Sequence, residues 1–138
     1  MKDVKQLTAE LIDGQKVCFI GSVDKEGAPN VKAMLQPRKR EGIKTIYLST
    51  NTSSGHVAQF RENNRACVYF CNAEVFRGVM LRGTMEVLTD RASKEMIWRE
   101  GDTMYYSKGV TDPDYCVLKF TATSGRYYYD RSENFDIE

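Results

Sequence analysis

The stretch Val17-Cys18-Phe19-Ile20-Gly21-Ser22-Val23-Asp24-Lys25-Glu26-Gly27-Ala28-Pro29-Asn30-Val31-Lys32-Ala33-Met34-Leu35-Gln36 decides the fold class. Two strand-like runs flank the polar tetrad Asp24-Lys25-Glu26-Gly27, which ends in glycine. Run, short turn and return run make a β-hairpin. Strand side chains alternate between faces, so Lys32 and Met34 share one face of the second strand. Val31, Ala33 and Leu35 take the other.

Reading outward, Val4, Leu7, Leu11 and Ile12 recur at helical spacing, with Gly14 as a stop. After the hairpin, residues 38–42 read as a solvated tip and residues 45–50 as a third strand. The polar loop Asn51-Thr52-Ser53-Ser54-Gly55 leads into a short helix that starts near Ser54 and ends at Asn63-Asn64. Residues 66–71 form a buried strand. Residues 76–88 form a long one, in which Gly78 and Gly83 mark bulges or close backbone approaches. Asp90 caps a helix carrying Ala92, Met96 and Ile97, with Trp98 near its end. Asp112-Pro113-Asp114 introduces a strand over 115–121, Thr123-Ser124-Gly125 reads as a turn, and 126–129 as the last strand. The expected fold is α+β: an antiparallel barrel, closed or nearly so, of about six to seven strands with short flanking helices.

Length and composition agree. The 138 residues suit one domain, 41% hydrophobic and 28% charged. No run is long enough to span a membrane and the first residues lack an apolar signal core, so a cytoplasmic location is expected. The net charge of +1 argues against a dedicated nucleic-acid binder. Residues 1–69 carry 11 basic and 7 acidic side chains, net +4, against 9 and 12, net −3, for residues 70–138. An anionic ligand therefore suits the first half better. Cys18, Cys67, Cys71 and Cys116 contain no Cys-x-x-Cys pair, and His56 is the single histidine, so a zinc site is not expected. The cysteines read as reduced, small hydrophobes.

No nucleophile–base pair and no Gly-rich nucleotide loop is visible. One constellation carries chemistry. Ser49-Thr50-Asn51-Thr52-Ser53-Ser54-Gly55-His56 joins a strand end to a helix start. Free helical N–H groups, the hydroxyls of Thr50, Ser53 and Ser54, and the His56 ring would suit a phosphate. The plainer alternative is an ordinary N-cap followed by a surface histidine. Lys32, facing the same way as Met34, either reaches that anion or is solvated. Trp98, Tyr105-Tyr106 and Tyr127-Tyr128-Tyr129 either stack on a planar ligand or fill cores and interfaces.

Taken in order, these segments resemble the pyridoxamine 5′-phosphate oxidase-like split β-barrel flavoproteins, in particular the general stress protein 26 branch. The resemblance rests on the opening hairpin through Met34, on Ile46-Tyr47-Leu48-Ser49-Thr50 with Ser54-Gly55-His56-Val57, and on Arg61-Glu62-Asn63-Asn64-Arg65-Ala66-Cys67-Val68. Arg82-Gly83-Thr84-Met85-Glu86-Val87 and Asp112-Pro113-Asp114-Tyr115-Cys116-Val117-Leu118 complete it. It implies a homodimer binding FMN at the subunit interface, with Lys32 in place of a phosphate-binding arginine. Thr50 and Ser54 match phosphate-binding hydroxyls, and His56 stands in place of a lysine. Ser49 and Gly55 belong to the same segment, where Gly55 replaces an arginine. Ala33, Met34 and Leu35 would run along the flavin ring, and Gly78 falls where some members use a glutamine. The implied activity is flavin-dependent oxidation or reduction. The alternatives are a ligand-binding module without turnover and a barrel acting only through its dimer interface. Residues 132–138 are acidic and lack the arginine-bearing ending that vitamin B6 oxidation uses in this family, so that reaction is not expected.

Overall fold

The computed structural model describes residues 2–138. Its elements are α1 (Val4–Gly14), β1 (Val17–Val23), β2 (Pro29–Leu35), β3 (Lys39–Glu41), β4 (Thr45–Asn51), α2 (Gly55–Glu62), β5 (Arg65–Asn72), β6 (Arg77–Leu88), α3 (Arg91–Ile97), β7 (Tyr115–Tyr128) and β8 (Ser132–Asp136). Two 3₁₀ turns, Asp102–Met104 and Gly109–Thr111, lie between α3 and β7. The expected α+β fold is present. Every strand pairing is antiparallel, and the strands run in the order β2-β1-β5-β6-β7-β4-β3. The path ends at β2 and β3, which do not pair, so the sheet wraps one core yet stays split.

Alternation explains the wrapping. Cys18 and Ile20 of β1, Met34 of β2, Leu48 of β4, Val68 of β5, Leu81 of β6 and Phe120 of β7 meet in one buried cluster. Val4, Leu11 and Ile12 of α1, with Val57 and Phe60 of α2, join the same cluster. A second, smaller core lies outside the barrel under α3. There Trp98 packs edge-on to Tyr115 at 5.2 Å between ring centroids, and Tyr106 lies 4.9 Å from Tyr115.

Three sequence expectations are corrected. Residues 123–125 do not turn: β7 runs unbroken for 14 residues. Pairing shifts between Arg82/Ser124 and Gly83/Ala122, which leaves Thr123 as a bulge. The signal that read as a turn is this bulge. A further strand follows, because β8 occupies the edge of β7 beyond the end of β4. The solvated tip at 38–42 holds β3, which pairs with β4. In addition, α3 buries Ile97 and the stem of Lys94, leaving Met96 exposed. Its Lys94 ammonium reaches Asp112 O at 3.0 Å above the Tyr115 ring.

The second core is clamped by an ion pair the sequence reading did not pick out. Arg38 Nη1 and Nη2 each donate to an Asp102 carboxylate oxygen at 2.8 Å, and both side chains are about nine-tenths buried. The Arg38 hydrogen bonds, aided by the Arg99 N–H, hold the Asp102 carboxyl below the usual carboxylate range. Asp102→Ala leaves a buried guanidinium unpaired and should cost about 3–5 kcal/mol in urea unfolding. The depressed folded value makes this a stabilisation present above the unfolded Asp value of about 4 and lost as pH falls through the folded value. An acid titration of stability should therefore be shallower below pH 4 in Asp102→Asn than in the wild type.

Candidate functional site

The loop before α2 is held in place from the far side of the chain. Asp114, next to the start of β7, accepts from Ser53 N–H at 2.8 Å and from Asn51 Nδ2 at 2.9 Å. Thr52 N–H donates to Asp114 O at 2.8 Å. Hydrogen bonding from the Ser53 side chain first, then from the Ser53 N–H and the Asn51 side chain, holds the Asp114 carboxyl below its usual value. The Asp112-Pro113-Asp114 motif thus fixes where α2 begins.

Ser54 occupies the N-cap position of α2, but its side chain makes no capping bond. A Cβ added at Gly55 would meet nothing within 4 Å. The first turn of α2 is therefore open, with its N–H groups and the positive end of its dipole facing outward. His56 is turned inward and buried, not a surface residue. Its Nε2 lies 2.9 Å from Thr50 Oγ1, and its ring meets Phe60 edge-on. Burial pushes the imidazole below its usual value, and the Lys32 ammonium adds to the effect.

A polar cavity of about 270 Å³ opens here, lined by Lys32, Ser54, Gly55 and His56 together with Ser22, Asn30, Val31 and Gln59. Lys32 makes no ion pair among the described residues, and four of the sequence-chosen residues thus converge on one space. Thr50 stands behind His56 as its hydrogen-bond partner. Ser49 alternates to the other side of β4, where it faces away from Thr50. Met34 points into the barrel core. Gly78 lies away from this cavity, and a Cβ there would sit 2.3 Å from the Tyr69 hydroxyl.

Ala33 and Leu35 offer backbone rather than side chains. Gln36 N–H donates to Lys16 O at 2.9 Å, and Asp24 N–H donates to Ala28 O at 3.0 Å. Antiparallel bonds recur at alternate pairs. In β2 the even-numbered residues therefore bond β1, while Val31, Ala33 and Leu35 direct N–H and C=O to the free edge. Asn30, Ser22 and Gln59 were not singled out from the sequence. Asn30 shares the Lys32 face by alternation, Ser22 lies opposite Asn30, and Gln59 follows Gly55 by one helical turn. The aromatic candidates disperse: Trp98, Tyr106 and Tyr127 fill cores, whereas Tyr105, Tyr128 and Tyr129 are exposed.

Residues 4–129 match the profile of the pyridoxamine 5′-phosphate oxidase family. The chain belongs to that family, within its general stress protein 26 branch. It is 44% identical to a protein related to general stress protein 26 from Clostridium acetobutylicum, covering 96% of this chain and 93% of that one, with a TM-score of 0.88. General stress protein 26 from Bacillus anthracis shares the fold at 18% identity and a TM-score of 0.80, covering 97% and 98% of the two chains. A heme binding protein from Mycobacterium smegmatis also shares it, at 14% identity and a TM-score of 0.77, covering 99% of this chain and 59% of that one. No curated protein matches the sequence.

In this family member the cation beside the helix start is Lys32 alone at neutral pH, because the lowered His56 stays uncharged. Proton NMR of His56 should show a midpoint below 6.5, and Lys32→Ala should raise it. The same depression works as a stability term that is present above about pH 6.5 and lost as pH falls through the folded value.

Proposed function

We propose that this protein is an FMN-binding oxidoreductase that works as a homodimer. The observation that carries the reading is the convergence of Lys32, the Ser54 hydroxyl and the open α2 N-terminus on one polar cavity beside a free strand edge. The residues fit a flavin phosphate on chemical grounds. The helix N–H groups and Lys32 offer donors and positive charge, no carboxylate lines the cavity, and Gly55 leaves room for close approach. The Ala33 and Leu35 backbone groups on the β2 edge offer donors and acceptors suited to the polar rim of a flavin ring.

A bound flavin would supply hydride acceptance and donation; the chain supplies orientation and charge. Lys32 anchors the phosphate as a point charge, without the two-pronged geometry of an arginine. His56, fixed by Thr50, offers its ring as a neutral hydrogen-bonding group. A phosphate bound beside it would favour the imidazolium and strengthen the contact as pH falls.

The dimer is supported by an apolar strip on the outer sheet face. Phe19 pairs with Tyr69, and Val17 pairs with Leu35. Their exposures run from 38% for Tyr69 to 60% for Leu35, a large exposed surface for four hydrophobic residues on adjacent strands. Its position next to the β2 edge would let a second subunit cover a ring lying there.

A visible spectrum taken after adding FMN and removing the excess tests the reading. A retained, perturbed flavin band is expected from the wild type. Lys32→Glu should abolish retention while leaving circular dichroism unchanged. An unbound flavin in the wild type, or an unchanged affinity in Lys32→Glu, would count against the site. Reduction of a dye by a nicotinamide cofactor separates turnover from binding alone.

A further inference from the structure

The aromatic core beneath α3 reaches the polar cavity beside α2 through three side chains. Tyr106 is buried in that core, against Tyr115 and Trp98. Its hydroxyl donates to Oδ1 of Asn51, the last residue of β4, at 3.2 Å. Asn51 Nδ2 donates in turn to Asp114 Oδ2 at 2.9 Å, and Asp114 Oδ1 accepts the Ser53 N–H at 2.8 Å. Chemistry fixes the direction of this relay. A carboxylate only accepts, so the Asn51 amide turns its NH2 to Asp114 and its oxygen to Tyr106. Burial pushes the Tyr106 hydroxyl up to about 12, so it stays protonated and donates.

The relay decides which N–H groups face the cavity. Ser53 N–H is taken by Asp114, and Ser54 N–H by Asn51 O at 3.0 Å. Val57 N–H closes the first turn of α2 on Ser54 O at 3.1 Å. The N–H groups of Gly55 and His56, two residues that line the cavity, are left without a partner among the described residues. Asn51 is thus gripped through its side chain by Tyr106 and Asp114, and through its carbonyl by Ser54. Any shift of Asn51 carries the Ser54 N–H and the two free groups with it. Tyr106 is itself braced. Its N–H and that of Tyr105 donate to Asp102 O at 3.0 and 2.9 Å, and the Asp102 carboxylate is clamped to Arg38, between β2 and β3. One core therefore steadies both sides of the cavity: the strand that carries Lys32 and the strand that leads into α2.

We propose that Tyr106 is a positioning residue for the polar cavity: through Asn51 and Asp114 it sets the free Gly55 and His56 N–H groups where an anion meets them together with Lys32. This role rests on the flavin-phosphate reading of the cavity, whereas the relay itself is present without a ligand.

Tyr106→Phe removes one oxygen and keeps the ring in the core. Amide hydrogen exchange of the ligand-free protein and FMN affinity by fluorescence quenching test the role. Tyr106→Phe should speed exchange of the Ser53 and Ser54 amides about fivefold, the scale of one hydrogen bond, while the Leu81 and Phe120 amides of the barrel core keep their wild-type rates. A tyrosine with only a structural role would instead lower global stability and speed the core amides with the rest. FMN should bind about fivefold more weakly to Tyr106→Phe. In an Asn51→Ala background, where the relay is already cut, Tyr106→Phe should add no further loss. Tyr105→Phe, at the exposed neighbour, should leave both readouts at wild-type values. Faster exchange throughout the barrel with no local excess at Ser53 and Ser54, an unchanged FMN affinity, or an equal loss in the Asn51→Ala background would overturn the proposal. No FMN retention by the wild type, with faster Ser53 and Ser54 exchange in Tyr106→Phe, would place the failure in the flavin reading and keep the relay. Retention with unchanged local exchange would place it in the relay.

Discussion

The rest of the fold depends on how closely β6 lies against β7. Gly83 has no room for a Cβ, because the Thr121 carbonyl would be 1.9 Å away. With that contact in place, β7 runs for 14 residues, bonds β6 along one edge and holds β4 and then β8 along the other. The mismatch between the strands is absorbed at Thr123, where the bulge bends the sheet and helps it wrap. Six flanking strands thus take their places around a pair that only glycine permits.

The polar cavity beside α2 inherits its position from this arrangement. The pairings Thr50–Cys116 and Asn51–Tyr115 set the end of β4, and Asp114 then pins the loop that starts α2. Lys32 arrives from the opposite end of the sheet, on β2, because the split between β2 and β3 leaves an edge free beside that helix. Openness of the sheet has a cost in unpaired backbone groups, and the same groups are what a flat polar ligand can use. The positive character of the cavity rests on helix amides and one lysine, since burial and the Lys32 charge both lower the His56 imidazole below its usual value.

The outer face divides by chemistry along the strands. Phe19, Tyr69, Val17 and Leu35 form an apolar strip suited to another protein surface, and further along the same face β5 carries Arg65 and the adjacent β6 carries Arg82 beside a hollow. Period-two alternation puts all of them on one side, but only the flat Cys67–Gly21 contact and the bulge make the second half concave.

The hairpin of residues 17–36, the two glycines of β6 and the hydroxyl-rich loop before α2 were legible in the sequence because each is a local signal. Alternation, turn chemistry and helix capping act over a few residues, so they determined the α+β class, most strands and the face of Lys32. Other features needed the tertiary structure. Thr123-Ser124-Gly125 has turn composition, yet pairing on both edges keeps it extended. The exposed alternation of 132–136 carries little apolar signal, and only the vacant edge of β7 makes it a strand. Ser49 and Thr50 look alike in sequence, and strand register decides that Thr50 alone meets His56. The burial of His56 against Thr50 and the Arg38–Asp102 clamp join residues that lie on separate elements. Local physical chemistry chooses elements, and pairing between distant segments decides which side chains come together.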